Sequence, residues 1–180
     1  MPLFYTLDRL SMLGSGITIH LVKYQDISPF ELQIHVDKMF PDGVSSFGER
    51  CFLRNSSDPR LTEPAIELIF EYVRRANFPE RPSRFQSVFG FESLNQVIEF
   101  RNRFGGGQGV IWEIESEKYF RADMSLLTLG SSILVCSYFA NKYWAGEPGE
   151  NPFWEILLIP PVKILRKIEQ NEEQTQSGVY

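Results

Sequence analysis

Residues 151–165 read NPFWEILLIPPVKIL, an apolar run with one carboxylate set into it. Taken as a strand, it puts Trp154, Ile156 and Leu158 on one face and Glu155 with Leu157 on the other, because successive strand side chains alternate. Both faces read as at least half buried, and a charge there is costly unless a partner or a task offsets it. Pro160 and Pro161 interrupt the run, since proline cannot donate to a ladder, and VKILRKI then reads as a closing strand.

Working backwards, the loop AGEPGENP precedes this strand, and a helix from about Ser131 to Trp144 precedes the loop. VIWEIE and YFRADMSLL read as strands, with Glu113 and Glu115 on a wet face. Ser93 and Gln96 form a capping box for the helix SLNQVIEFRNRF, and RFQSVFGF, residues 84–91, reads as the strand before it. A helix follows Thr62 and Pro64, with Ile66, Ile69, Phe70 and Val73 at helical spacing. Another opens with Ser28 as N-cap, Pro29 in the first turn and Glu31 as the capping-box acid, and runs through Phe30, Ile34 and Met39. LFYTL and ITIHLV, residues 3–7 and 17–22, have strand composition around the turn MLGSG. Strands and helices mix without regular βαβ alternation, so the expected class is α+β. Residues 1–168 read as one domain, and residues 169–180 as a polar, disordered tail.

Composition narrows the function. The chain has 180 residues, 43% apolar and 14% aromatic, enough for a sizeable core. Its 18 basic and 23 acidic residues give a net charge of −5, which disfavours a broad nucleic-acid surface. Cys51 and Cys136 lack CxxC spacing and read as buried thiols of a cytoplasmic protein. His20 and His35 lack the spacing of a metal pair, so no metal is expected. No stretch is long and apolar enough to span a bilayer, so no membrane partner is expected. RFGGGQG follows a helix and precedes a strand, the wrong order for a phosphate-cradling turn, and no GxSxG elbow is present.

Four segments acquire meaning together: FYTLDR, SRFQSVFGFESL, EIESEKYFRADMSLL and YWAGEPGENPFWEILLIPPVKILRKI. Their combination resembles the small ADP-ribosyltransferase-like domains of the DUF2441 type, over nearly all of residues 3–168. The resemblance implies split antiparallel β-sheets with flanking helices, and NAD as a substrate. In that superfamily the first strand offers a polar anchor for NAD, and a central strand carries a hydroxyl residue against the nicotinamide. A late strand presents the catalytic Glu after a target-recognising loop. Carried over, Glu155 resembles that glutamate and Ser87 the hydroxyl residue, with Phe89 or Phe91 stacking on the nicotinamide. Thr6 stands where many relatives have His or Arg, so Arg9 is the favoured anchor. Arg84 is a candidate for the pyrophosphate, and Asp123 resembles a recurring position of unassigned role.

The chemistry suits these residue types. Breaking the bond between ribose and nicotinamide develops positive charge on the sugar, which a nearby carboxylate stabilises. GEPGENP would form a mobile rim bringing an unidentified macromolecular or small-molecule acceptor to the anomeric carbon. Transfer to an RNA 2′-phosphate is disfavoured by the acidic balance. Plainer readings stand beside these. Glu155 would guard a free sheet edge, Ser87 would be a small strand residue, Arg9 and Arg84 would be surface ion-pair partners, and the phenylalanines would be core. On those readings the chain is a non-catalytic descendant of the fold that binds a nucleotide or a protein, or else a structural or regulatory interaction module with loops 41–61 and 145–152 as contact sites.

Overall fold

The computed structural model describes residues 1–54 and 64–169. The Thr62 cap and residues 170–180 of the expected tail lie outside the described residues. Two antiparallel sheets organise the rest, and the class is α+β. The first has the order β1-β4-β7-β2, from Leu3–Asp8 (β1), Val110–Glu115 (β4), Val162–Lys167 (β7) and Thr18–Ile19 (β2). The second has the order β3-β6-β5, from Val88–Gly90 (β3), Trp154–Leu158 (β6) and Tyr119–Asp123 (β5).

The sheets come together at β1 and β3. Tyr5 and Phe91 exchange both backbone hydrogen bonds, at 2.9 and 2.8 Å, and the Thr6 hydroxyl donates to the Phe89 carbonyl at 2.7 Å.

The opening stretch behaves as its alternation demands. Ile156 and Leu158 pack with Phe4, Trp112, Ile114 and Ile164 of the first sheet. Leu157, on the opposite face, packs with Phe70 of helix α3 (Pro64–Asn77) and Tyr143 and Trp144 of helix α5 (Ile133–Ala145). Because β6 is the middle strand, Glu155 guards no free edge, which corrects that reading. Ser93 and Gln96 do form a capping box, opening helix α4 (Leu94–Phe104). Helix α5 is capped by Ser132, whose hydroxyl accepts from Val135 N at 3.3 Å, and ends at Gly146 with φ 77°, in the left-handed region that favours glycine.

Local readings that differ have identifiable causes. Helix α1 (Phe30–Met39) has Pro29, not Ser28, at its N-cap, and no side chain caps it. Its buried residues are Gln33 and Met39, while Phe30 and Ile34 face solvent. The Gln33 amide donates to Tyr24 O at 2.9 Å and accepts from Ile27 N at 3.1 Å, so this polar side chain anchors the preceding chain and sets the buried face. Residues 84–86 form a 3-10 turn, and the strand starts only at Val88, because the Ser83 hydroxyl caps Phe85 N at 3.2 Å. In the expected loop 41–61, Ser46–Gly48 (α2) and Glu49–Leu53 are helical and bury Phe47 and Cys51. Of the expected strand at 17–22, Thr18 and Ile19 pair with β7, and Ile17 O accepts from Ile164 N at 2.8 Å.

Candidate functional site

Helix α3 carries Glu67, Phe70, Glu71 and Arg74 at helical i, i+3, i+4 and i+7 spacing, and all four are buried. Two acids and a base therefore enter the core on the stripe that a helix normally fills with apolar side chains. Facing them are Ser83 and Arg84 at the turn before β3 and Tyr143 of α5, with Glu155 of β6 joined to them through Arg84 and Tyr143.

Arg84 is the hub. Its Nε donates to Glu67 Oε2 at 2.7 Å and its Nη2 to Glu67 Oε1 at 3.1 Å, a two-point ion pair in which the Glu67 side chain is fully buried. Its Nη1 donates to Glu155 Oε1 and to the Tyr143 hydroxyl. The Tyr143 hydroxyl in turn donates to Glu155 Oε1 at 2.9 Å. The guanidinium lies 4.6 Å from the centre of the Phe89 ring and 5.5 Å from that of Tyr143. Glu155 is 4% exposed, with both donors on Oε1 and none on Oε2 among the described residues.

One cation thus serves two carboxylates. Burial pushes the Glu155 carboxyl above its ordinary value; Arg84 and the Tyr143 hydroxyl pull it back, and the Glu67 charge pushes it up again. Burial also lifts the Tyr143 phenol well above its usual range, opposed by Arg84. For Arg84, burial alone would lower the pKa, but Glu155 and Glu67 hold the guanidinium firmly protonated. Burial, then Glu67, pushes the Cys51 thiol up to about 11, so it is a poor nucleophile.

The other expected residues occupy varied places. Ser87 is buried just ahead of β3, and its hydroxyl donates to the Ser83 carbonyl at 2.8 Å. Thr6 is committed to Phe89 O. The Arg9 guanidinium lies 5.0 Å over the Phe100 ring. Phe91 is a core residue, its ring 4.8 Å from Phe100, and Phe89 is half-buried, edge-on to Phe47 at 4.9 Å. Arg84, far from being a surface partner, is 5% exposed and is the residue brought to Glu155. Asp123 is fully buried, with Oδ1 accepting from Ser125 N at 3.0 Å and Phe153 N at 2.8 Å, and Oδ2 from Gly149 N at 2.7 Å. The rim GEPGENP is therefore tied at Gly149.

Glu67 and Tyr143 were not anticipated. For Glu67 the signal was present: an acid in register with Phe70 and beside Ile66, on the apolar stripe of its helix. Tyr143 carries no such mark, since its ring is ordinary core and only the fold brings its hydroxyl to Glu155.

Among the described residues, no helix is long and apolar enough to cross a membrane. The family model described as "Protein of unknown function (DUF2441)" matches residues 42–170, more than half of the chain, and the protein belongs to that family. The matched span contains Glu67, Arg84, Ser87, Asp123, Tyr143 and Glu155, and leaves out Thr6 and Arg9. A search of curated proteins finds no match.

Proposed function

We propose that the protein is an ADP-ribosyltransferase-like enzyme that takes NAD as substrate and transfers ADP-ribose to an unidentified acceptor. The observation that carries this reading is the divided environment of Glu155. One carboxylate oxygen is held by Arg84 and Tyr143, while the other has no donor among the described residues. A carboxylate fixed through one oxygen is preorganised to offer the other to charge developing on a sugar. The strand neighbourhood gives further support. β6 pairs with β3, Phe89 opposite Leu157, and Phe91 just beyond β3 bridges to Tyr5 of β1. The three segments to which the resemblance assigns the NAD anchor, the hydroxyl residue and the glutamate are thus neighbours.

In this reading Glu155 Oε2 takes a ribose hydroxyl and stabilises positive charge as the C1′–N bond breaks. Nicotinamide leaves with the bonding pair, the acceptor oxygen or nitrogen bonds to C1′, and its proton is released. Arg84 and Tyr143 act through Glu155 and are positioning residues, so Arg84 no longer serves as the contact to pyrophosphate.

A second reading has its own observation. The Glu155 side chain is only 5% exposed and is ion-paired with Arg84, so its charge already has a partner. That favours a non-catalytic descendant of the fold that binds a nucleotide or a protein. Calorimetry with NAD and a nicotinamide-release assay, on wild type and Glu155→Gln, separate the two. The enzyme reading expects release by wild type and a loss of ~10²–10³ in the variant. NAD binding without release by either protein would favour the second reading, and neither binding nor release would end the NAD proposal.

A further inference from the structure

We propose that Asp123 is a positioning residue that preshapes the loop 146–153, so that the acceptor side of the Glu155 site is a fixed rim and not a closing lid. The second half of this statement rests on the transferase reading; the first does not.

The loop EPGENPF has two prolines, Pro148 and Pro152, which carry no N–H. The residue after each proline, Gly149 and Phe153, hands its N–H to the Asp123 carboxylate, at 2.7 and 2.8 Å. A third donor, Ser125 N at 3.0 Å, holds the carboxylate from its own side. Asp123 is 0% exposed, so these bonds are sheltered from competing water. Met124 N donates to Phe153 O at 2.9 Å, closing a second bond beside the first. At the other end the loop leaves α5 through Gly146, whose N–H returns to Tyr143 O, and Glu147 N returns to Lys142 O. Space at its middle is tight as well. A Cβ on Gly149 would lie 3.3 Å from Asp123 Oδ2 and 3.2 Å from Leu126.

The strand register carries this hold to the site. Asp123 lies opposite Trp154 and Ala122 opposite Glu155, so the carboxylate that fixes Phe153 also fixes where β6 begins. A side chain that touches no substrate thereby sets both the rim and the position of Glu155.

The variant Asp123→Asn keeps the shape but replaces one acceptor oxygen by an amide donor, which must face a backbone N–H. Two measurements test it. In hydrogen exchange, the Gly149 and Phe153 amides should exchange ~10-fold or more faster, while Ile164 of β7 keeps its protection. With NAD in water–methanol mixtures, the ratio of methyl ADP-riboside to free ADP-ribose should change by about 3-fold or more, because the rim orients the acceptor. A loss of folded protein would lower both products equally and leave that ratio unmoved. Gly149→Ala, which crowds Oδ2 but keeps the carboxylate, should move both readouts in the same direction by less, and it stands in if Asp123→Asn does not fold. Unchanged loop exchange overturns the proposal, and faster exchange with an unchanged product ratio overturns its second half, the fixed acceptor rim, while upholding Asp123 as the residue that holds the loop. If wild type releases no nicotinamide, the transferase reading fails while the exchange result still decides the role of Asp123.

Discussion

Glu67 and Glu71 lie one turn apart on the same helix, both buried, and the networks around them have opposite charge stoichiometry. Glu71 is one acid among two bases. It accepts from Arg74 Nε and Nη2 at 2.9 Å each, Arg75 Nε at 2.6 Å and the Ser83 hydroxyl at 2.8 Å. The surplus cationic donors go to backbone carbonyls: Arg74 to Pro79 and Arg81, and Arg75 to Met39. Glu67 and Glu155 are two acids on one base, and one Glu155 oxygen receives no donor among the described residues. A network with spare donors can spend them on carbonyls and becomes a staple, here closing the chain around residues 79–83 onto α3. A network with a spare carboxylate has no such outlet, and it keeps an acceptor in reserve. That difference separates a structural ion pair from a candidate site more clearly than burial does, because both are buried.

The largest expected effect comes from removing the hub. Arg84→Met leaves Glu67 and Glu155 in the core without their cation and should destabilise the fold by ~3–5 kcal/mol in urea unfolding. Arg74→Met should cost less, ~1.5–3 kcal/mol, since Glu71 keeps Arg75 and Ser83. Equal losses would mean that stoichiometry does not matter. Next in size is Tyr143→Phe, which removes one hydroxyl that both donates to Glu155 and accepts from Arg84. It should cost ~1–3 kcal/mol in the same assay. It should also push the Glu155 carboxyl further up, because the lost hydrogen bond favoured the charged form.

How much of this was legible before the structure depends on where each signal resides. The β6 alternation and the Ser93 capping box are written in adjacent residues, and both appear as read. Glu155 was conspicuous for the same reason: a charge among Trp154, Ile156 and Leu157 is a local anomaly. Its partner was not legible, because Arg84 lies 71 residues away and a lone arginine before a strand has no distinguishing neighbour. The face of α1 was misread because Gln33, polar by composition, is buried by hydrogen bonds to the segment before the helix. Ser87 reads as a residue inside a strand that opens at residue 84, whereas the strand opens at Val88, since a hydroxyl–carbonyl turn through Ser83 competes there with extended backbone.

The smallest effect is the most specific to the acid-rich network. The Glu155 carboxyl is raised above its ordinary 4.5, so the folded chain holds that proton at a pH where the unfolded chain has released it. The resulting stabilisation is fully present below the unfolded value and is lost as pH rises through the folded one. Glu155→Gln lacks the proton altogether. The stability of wild type relative to this variant should therefore increase as pH falls from 8 toward 4.5, with a slope below about 1.4 kcal/mol per pH unit, the limit for a single proton. Urea unfolding of both proteins across that range measures it. The other carboxylates titrate in both proteins and largely cancel in the difference, so the slope reports the second acid on Arg84. Parallel curves would mean that Arg84 compensates Glu67 and Glu155 fully, and the distinction from the Glu71 staple would then be one of geometry alone.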